Sequence, residues 1–456
     1  MCLRNWTARA ALAAAIAIVP VAGYGQSLTQ VLVHAYENSP TLASAFLSVR
    51  AAGQGIRSAE GAYLPSVGAS ASVNATYSPN MQGDYTISTS DQFGLSYNQT
   101  LFDNFASDAA IRAARENYDA SVHTAANTEQ NVLLQAATAF YNVILNRRIV
   151  DIRRENLGFV QTQLEAARDR LELGEGTRLD VAQAESSQAQ AQASYQAAVN
   201  NLTTSEAQFI SAVGMPPASL SDNMSVARLI PNSVDAALAL AEQTHPALLA
   251  SAAQIRAATF QAEETVASFG PNVSLSASAG MGGFTGDRVA GQAQIGLSLS
   301  IPIYTPTRDP AVEQANIARM QSEVQAFANR DQVYEAVRQA WAGYNSAYSQ
   351  IQSATAAVAA TRLALEAVID QSEVGQATTL DILDARATLL TVEEQLASAQ
   401  VQRSIAAFSL VAAMGQLSAT ELALPVIPRA ADGTYLPQPA SATTIPASQD
   451  AWAGLR

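Results

Sequence analysis

The first residues to weigh for chemistry are three histidines, a single cysteine, and the carboxylates that follow two glycine breaks in a chain of 456 residues. His34, His123 and His245 stand far apart in sequence, so they do not supply the clustered donor set that a metal ion needs, and no metal site is read here. Cys2 is alone, which leaves no disulfide and no thiol pair. No G-x-S-x-G, P-loop or C-x-x-C occurs, and the glycines of GMGGFTG around Gly280 sit in an alternating run and its loop rather than before a helix. Neither an enzyme nor a cofactor is implied. The carboxylates remain. Asp180 and Asp381 each close a G-x-x-x-x-L-D motif, opened by Gly174 and Gly375, where an acidic side chain caps or favours a helix N-terminus. Asp384 follows Asp381 by three residues and shares its helix face.

The elements that must position these groups begin with an exported N-terminus. Arg4 and Arg9 lead into the apolar run Ala10 to Val19, then Pro20 and the small residues around Gly23 and Gly25, the three-part pattern of a signal peptide over 1–25. Cys2 would leave with it. No later stretch offers the roughly 18 consecutive apolar residues of a spanning helix. Charged residues are 14% of the chain and aromatic ones 6%, while Ala, Gln, Ser and Thr fill long stretches, a composition suited to close helix packing and polar inner walls. The net charge is −14, and all 25 basic residues are Arg. That acidic balance argues against nucleic acid as a partner, because phosphate contacts need a clustered basic surface.

An internal duplication organises the rest. Pro40 pairs with Pro246 and Pro65 with Pro271 at the same offset of 206; FGLSYNQTLF from Phe93 matches IGLSLSIPIY from Ile295 at 202, and GEGTRLDVAQA from Gly174 matches GQATTLDILDA from Gly375 at 201. The copies are expected at 26–220 and 221–424, with a Pro/Ala/Ser-rich tail from 425 to 456 expected to be disordered. A period near 200 residues marks a duplicated half rather than a solenoid.

Within each copy two runs alternate with period 2. Val67, Ala69, Ala71, Val73, Ala75 and Tyr77 interleave with Ser, Gly, Asn and Thr, and Val273, Leu275, Ala277, Ala279 and Met281 do likewise, predicting strands at about 66–77 and 272–282; their partners are predicted at about 92–102 and 293–304. Such strands suit a membrane barrel with lipid outside and water inside, and on pattern alone a half-buried soluble sandwich suits them equally. Tyr77, Tyr85, Phe93, Tyr97, Phe284 and Tyr304 could supply an interfacial aromatic girdle or ordinary strand packing. Between the strand pairs, Ala106 to Leu173 and Ala311 to Val374 predict continuous helices of about 100 Å at ~1.5 Å per residue. Gly174 with Gly176, and Gly375, break them; Leu179 to Ala212 and Leu380 to Ala413 resume, so the helices double back as antiparallel coils. Four strands leave two open edges, which lipid does not tolerate, so spanning strands would require several chains.

SLTQVLVHAYENSPTL, EGAYLPSV, FGLSYNQTLFD, LSLSIPIY and the paired G-x-x-x-x-L-D turns, correctly placed in both copies, resemble the TolC-like outer-membrane efflux and secretion proteins over Ser27 to Leu424. The resemblance implies a mixed α/β membrane protein of a Gram-negative bacterium. In it, four antiparallel transmembrane strands per chain build a homotrimeric twelve-stranded β-barrel in outer-membrane lipid, continued by a long α-helical barrel in the periplasm. The implied role is a passive exit duct for type I protein secretion and/or multidrug efflux, working with a periplasmic adaptor protein and an inner-membrane pump of ABC or RND type. Which cargo and which pump class it serves is not encoded here. The resemblance further implies a periplasmic gate whose cation-binding ring falls on Asp381 and Asp384, of which Asp384 weighs more because its repeat counterpart is Gln183. It places adaptor docking at the tips around Gly174, Gly176 and Gly375. The family's Tyr and Arg latch falls on Ser372 and Ala377, so that latch is absent, and Asp180 is left to pair with Arg178 or to cap its helix. A trimeric structural or adhesive surface rod without channel activity is the competing reading.

Overall fold

Short capping motifs start most of the helices. In the computed structural model, which describes residues 25–79, 85–222, 224–283 and 289–427, strand β1 (Gln26–Ser27) runs straight into helix α1 (Leu28–Asn38). Ser27 and Gln30 close a reciprocal capping box there. Ser39 caps α2 (Pro40–Glu60), whose Pro40 occupies the first turn, where its missing N–H costs nothing. Strands β2 (Ser66–Pro79) and β3 (Tyr85–Phe102) follow, then α3 (Ala106–Glu172), 67 residues long. After α4 (Arg178–Val213) and the short β4 (Leu220–Ser221), the plan repeats as α5 (Val234–Thr244), α6 (Pro246–Ala267), β5 (Asn272–Gly282), β6 (Ala290–Ser300), α7 (Arg308–Glu373) and α8 (Thr379–Ala413). The expected leader up to residue 24, Phe284 and the tail from 428 lie outside the described residues.

Two strands differ from their predicted limits. β3 starts at Tyr85, because the TISTSDQ stretch keeps its ladder with β2 as far as Pro79↔Tyr85. β6 ends at Ser300 instead of running on to 304. Pro302 has no N–H to extend a ladder, and its partner strand ends at Asn272↔Ser300.

The sheet is antiparallel with order β2-β3-β5-β6, leaving β2 and β6 as free edges. Its register sorts the faces. Val67↔Tyr97, Ala69↔Leu95 and Ala71↔Phe93 continue through Phe93↔Met281, Leu95↔Ala279 and Tyr97↔Ala277 into Ala277↔Ile295 and Leu275↔Leu297. Directly paired residues share a face, so one side is apolar from edge to edge. The other side carries Ser70↔Gly94, Ser72↔Gln92, Ser276↔Gly296 and Ser278↔Gln294. Among the described residues nothing covers the apolar side: Val67 is 74% exposed, Ile295 76% and Leu297 68%.

The main core lies elsewhere, midway along α3. Leu28, Leu32, Phe140, Phe209, Val337, Phe408, Leu410 and Met414 bring α1, α3, α4, α7 and α8 together. Phe140 and Tyr141 meet edge to face at 5.4 Å, and Tyr141 reaches Phe408 at 6.0 Å. Two of the histidines do structural work here. His34 Nδ1 donates to the Val213 carbonyl (2.7 Å) at the end of α4, where Gly214 (φ +88°) turns the chain. The His245 ring accepts from the Ala247 amide (3.2 Å) and so caps α6. No described helix is long and apolar enough to cross a membrane.

Candidate functional site at the helix-hairpin tips

Each helical hairpin turns on the same sequence of stop and start signals. α3 ends in a Schellman motif: Gly174, at φ +79°, sends its N–H to the Leu171 carbonyl (3.1 Å), and the Glu175 N–H bonds the Arg170 carbonyl (2.8 Å). α7 ends identically, with Gly375 at φ +77° bonded to Ser372 (3.1 Å) and Gln376 to Gln371 (2.8 Å). An L-residue side chain strains that left-handed conformation, which is why both breaks use glycine. Gly176 serves differently. A Cβ there would stand 3.1 Å from both the Arg170 Cβ and the Leu171 backbone nitrogen.

Threonine then restarts each helix. The Asp180 N–H donates to Thr177 Oγ1 (3.2 Å), while the Thr177 N–H (2.9 Å) and hydroxyl (2.7 Å) donate to the Asp180 carboxylate. Thr378 and Asp381 repeat the box at 3.3, 2.8 and 2.7 Å. The Thr177 hydroxyl and amide hold the Asp180 carboxyl below the usual carboxylate range, with Arg170 adding to the effect; Thr378 does the same for Asp381. A depressed folded pKa contributes stability that is present above the unfolded pKa and is lost as pH falls through the folded one. Thr378→Ala removes the N-cap of α8 and should loosen its start by about 1 kcal/mol, the usual scale of a lost N-cap. Thermal unfolding followed by circular dichroism should show that variant losing less stability than the parent as the solution passes below the ordinary carboxylate range.

Of the two roles left open for Asp180, the contacts are those of the helix cap. Arg178 is exposed and forms no ion pair with Asp180, because the carboxylate is already engaged by the hydroxyl and N–H three residues before it. Asp381 sits in the same cap. Asp384, one turn on, is exposed, and its carboxylate has no hydrogen bond or ion pair among the described residues; only its backbone carbonyl is used, by the Thr388 hydroxyl (2.9 Å). Beneath it, Ile382 and Leu383 are buried, Leu383 against Leu157, Val160 and Ala191. Ser372, at the expected latch position, is half-buried with an unpartnered hydroxyl, and Ala377 offers no polar group. No group of three or more His, Cys, Asp or Glu side chains gathers as a metal site among the described residues.

Each tip also presents apolar side chains to solvent. Leu173 is 75% exposed and Leu179 65% at one tip; Val374 (69%) and Leu380 (40%) take the equivalent places at the other. Sequence reading found the glycines and missed these four, although the offset of 201 that pairs Gly174 with Gly375 also pairs Leu173 with Val374 and Leu179 with Leu380.

Comparison with known proteins agrees with this architecture. The outer membrane efflux protein family model matches twice, over residues 31–215 and 237–416, one match per copy. The chain is 33% identical to the outer membrane efflux protein BepC of Brucella suis, over 99% of this chain and 97% of that protein. It is 25% identical to the outer membrane protein TolC of Vibrio cholerae, covering 89% and 94% respectively. The solved Campylobacter jejuni CmeC outer membrane channel superposes with a TM-score of 0.74 at 15% identity, covering 85% of each chain. With the family model matched over both copies and a relative 33% identical over nearly its whole length, this chain belongs to the outer membrane efflux protein family.

Proposed function

We propose that three copies of this chain close their sheets into one twelve-stranded barrel and form a passive exit duct, gated at its periplasmic end. The observation that carries this is the sheet itself: an apolar face exposed from edge to edge, with both edge strands unpaired. In lipid such edges leave backbone groups without partners, and closure between chains satisfies them. The helices support the same assembly. Ile317, Met320, Val324 and Phe327 form an exposed stripe at helical spacing on α7, the pattern of a seam awaiting a neighbouring helix.

Three chains would bring three copies of Asp384 around the axis, with Asp381 engaged in its cap beside it. A ring of free carboxylates attracts cations and binds multivalent ones. The exposed Leu173, Leu179, Val374 and Leu380 beside Gly174, Gly176 and Gly375 supply apolar anchors for a periplasmic adaptor, through which an inner-membrane pump of ABC or RND type delivers type I secretion substrates or drugs.

The decisive experiment extracts outer membranes in detergent and fuses the purified protein into planar bilayers. Heat-resistant trimers with discrete single-channel conductance are expected. A protein released by salt washing, with no conductance, would sink the duct in favour of a surface rod.

A further inference from the structure

The tip latch is missing, yet the two hairpins of one chain are tied together higher up. α3 packs with α4 as one hairpin and α7 with α8 as the other, and side chains from α3 and α8 cross between them. Arg153 Nη2 donates to Glu394 Oε2 (2.7 Å), and its Nε stands in ion-pair contact with Oε1 without forming a second hydrogen bond. About two turns nearer the tip on α8, and less than one turn on α3, Arg386 Nε donates to Asn156 Oδ1 (3.2 Å) while its guanidinium lies 5.3 Å over the ring of Phe159. Asn156 is buried, and Arg386 is half-buried. Both links straddle apolar seams: Leu157 and Val160 with Leu383, and Ile152 with Leu390. A charge-assisted hydrogen bond in such a half-dry setting is stronger than an exposed ion pair and more directional.

The duplication tells scaffold from specialisation. At the offset of 201 residues, Arg153, Asn156 and Phe159 become Ala354, Ala357 and Ala360, while Glu394 and Arg386 become Ala193 and Glu185. None of the five side chains recurs, whereas both capping boxes do. Shared residues do jobs common to both hairpins; these five belong to one seam only.

We propose that Arg153–Glu394 and Arg386–Asn156, with Phe159 as the stacking surface, are the positioning contacts of the gate, standing in for the latch that Ser372 and Ala377 do not provide. Arg386 lies two residues from Asp384 on α8, so the staple fixes where that stretch of α8, and with it the carboxylate, stands relative to the α3–α4 hairpin. The functional half of this proposal rests on the duct reading; the coupling of the hairpins does not.

The test uses the full-length protein in detergent and in bilayers. In Arg386→Leu, and separately in Arg153→Glu, backbone amide exchange over residues 380–392 should speed up by at least about tenfold, the scale of a lost charged hydrogen bond in local opening, while 132–143 in the main core exchanges as before. Resting conductance should rise severalfold. Pairing Arg153→Glu with Glu394→Arg should restore both readouts. Unchanged exchange in a folded variant overturns the proposal, and so does faster exchange with unchanged conductance. If the parent protein forms no channel but the variants exchange faster, the duct reading fails while the staple between hairpins stands.

Discussion

Asp384→Asn should collapse the preference for cations over anions and weaken block by multivalent cations by about tenfold or more, the range over which charged constrictions alter local ion concentrations. The expectation comes from what surrounds the two neighbouring acids. Asp384 is exposed and its carboxylate bonds to nothing among the described residues, so its whole charge is available to the space in front of it. Asp381 spends its carboxylate on the Thr378 hydroxyl and amide. Asp381→Asn should therefore change selectivity less than Asp384→Asn, and should instead loosen the start of α8. Reversal potentials across a salt gradient, measured for the two variants side by side, separate the roles. Equal effects from both, or none from Asp384→Asn, would remove Asp384 from the constriction.

Phe140→Ala should be the most damaging single truncation in the helical half, costing about 3–5 kcal/mol. Phe140 is fully buried at the middle of α3, edge-on to Tyr141 and within the cluster that gathers α1, α4 and α8. The cavity left behind cannot collapse easily, because its walls belong to helices held along their whole length by other contacts. Denaturant unfolding followed by helical circular dichroism should show the loss directly. A shift below about 1 kcal/mol would mean that the cluster is not the organising core.

How far the sequence foretold this molecule depended on the range of the interactions involved. The helix breaks were legible because glycine at a left-handed position and Thr-x-x-Asp at a helix start are local chemistry, complete within seven residues from Gly174 to Asp180. The same locality accounts for Asp180 acting as a cap: a carboxylate already held by its own cap has little left for a side chain two residues away. The early start of β3 was not legible, since Thr89 and Asp91 interrupt the apolar face that alternation relies on, and only pairing with Ala75 and Val73 keeps them in the strand. Least legible was the staple. Arg386 and Asn156 are 230 residues apart, and nothing near either one announces the other.

The bare sheet also bears on how the protein is made. A single chain that has folded its helices still carries two open strand edges and an uncovered apolar face, a template for mispairing with any other extended segment. If three chains close the barrel as proposed, maturation is limited by encounter between subunits rather than by folding within one, and the yield of assembled protein should depend steeply on how many chains reach the membrane together. Until that encounter, each chain would carry an uncovered apolar sheet face through water, so dilution during refolding should favour aggregation over assembly.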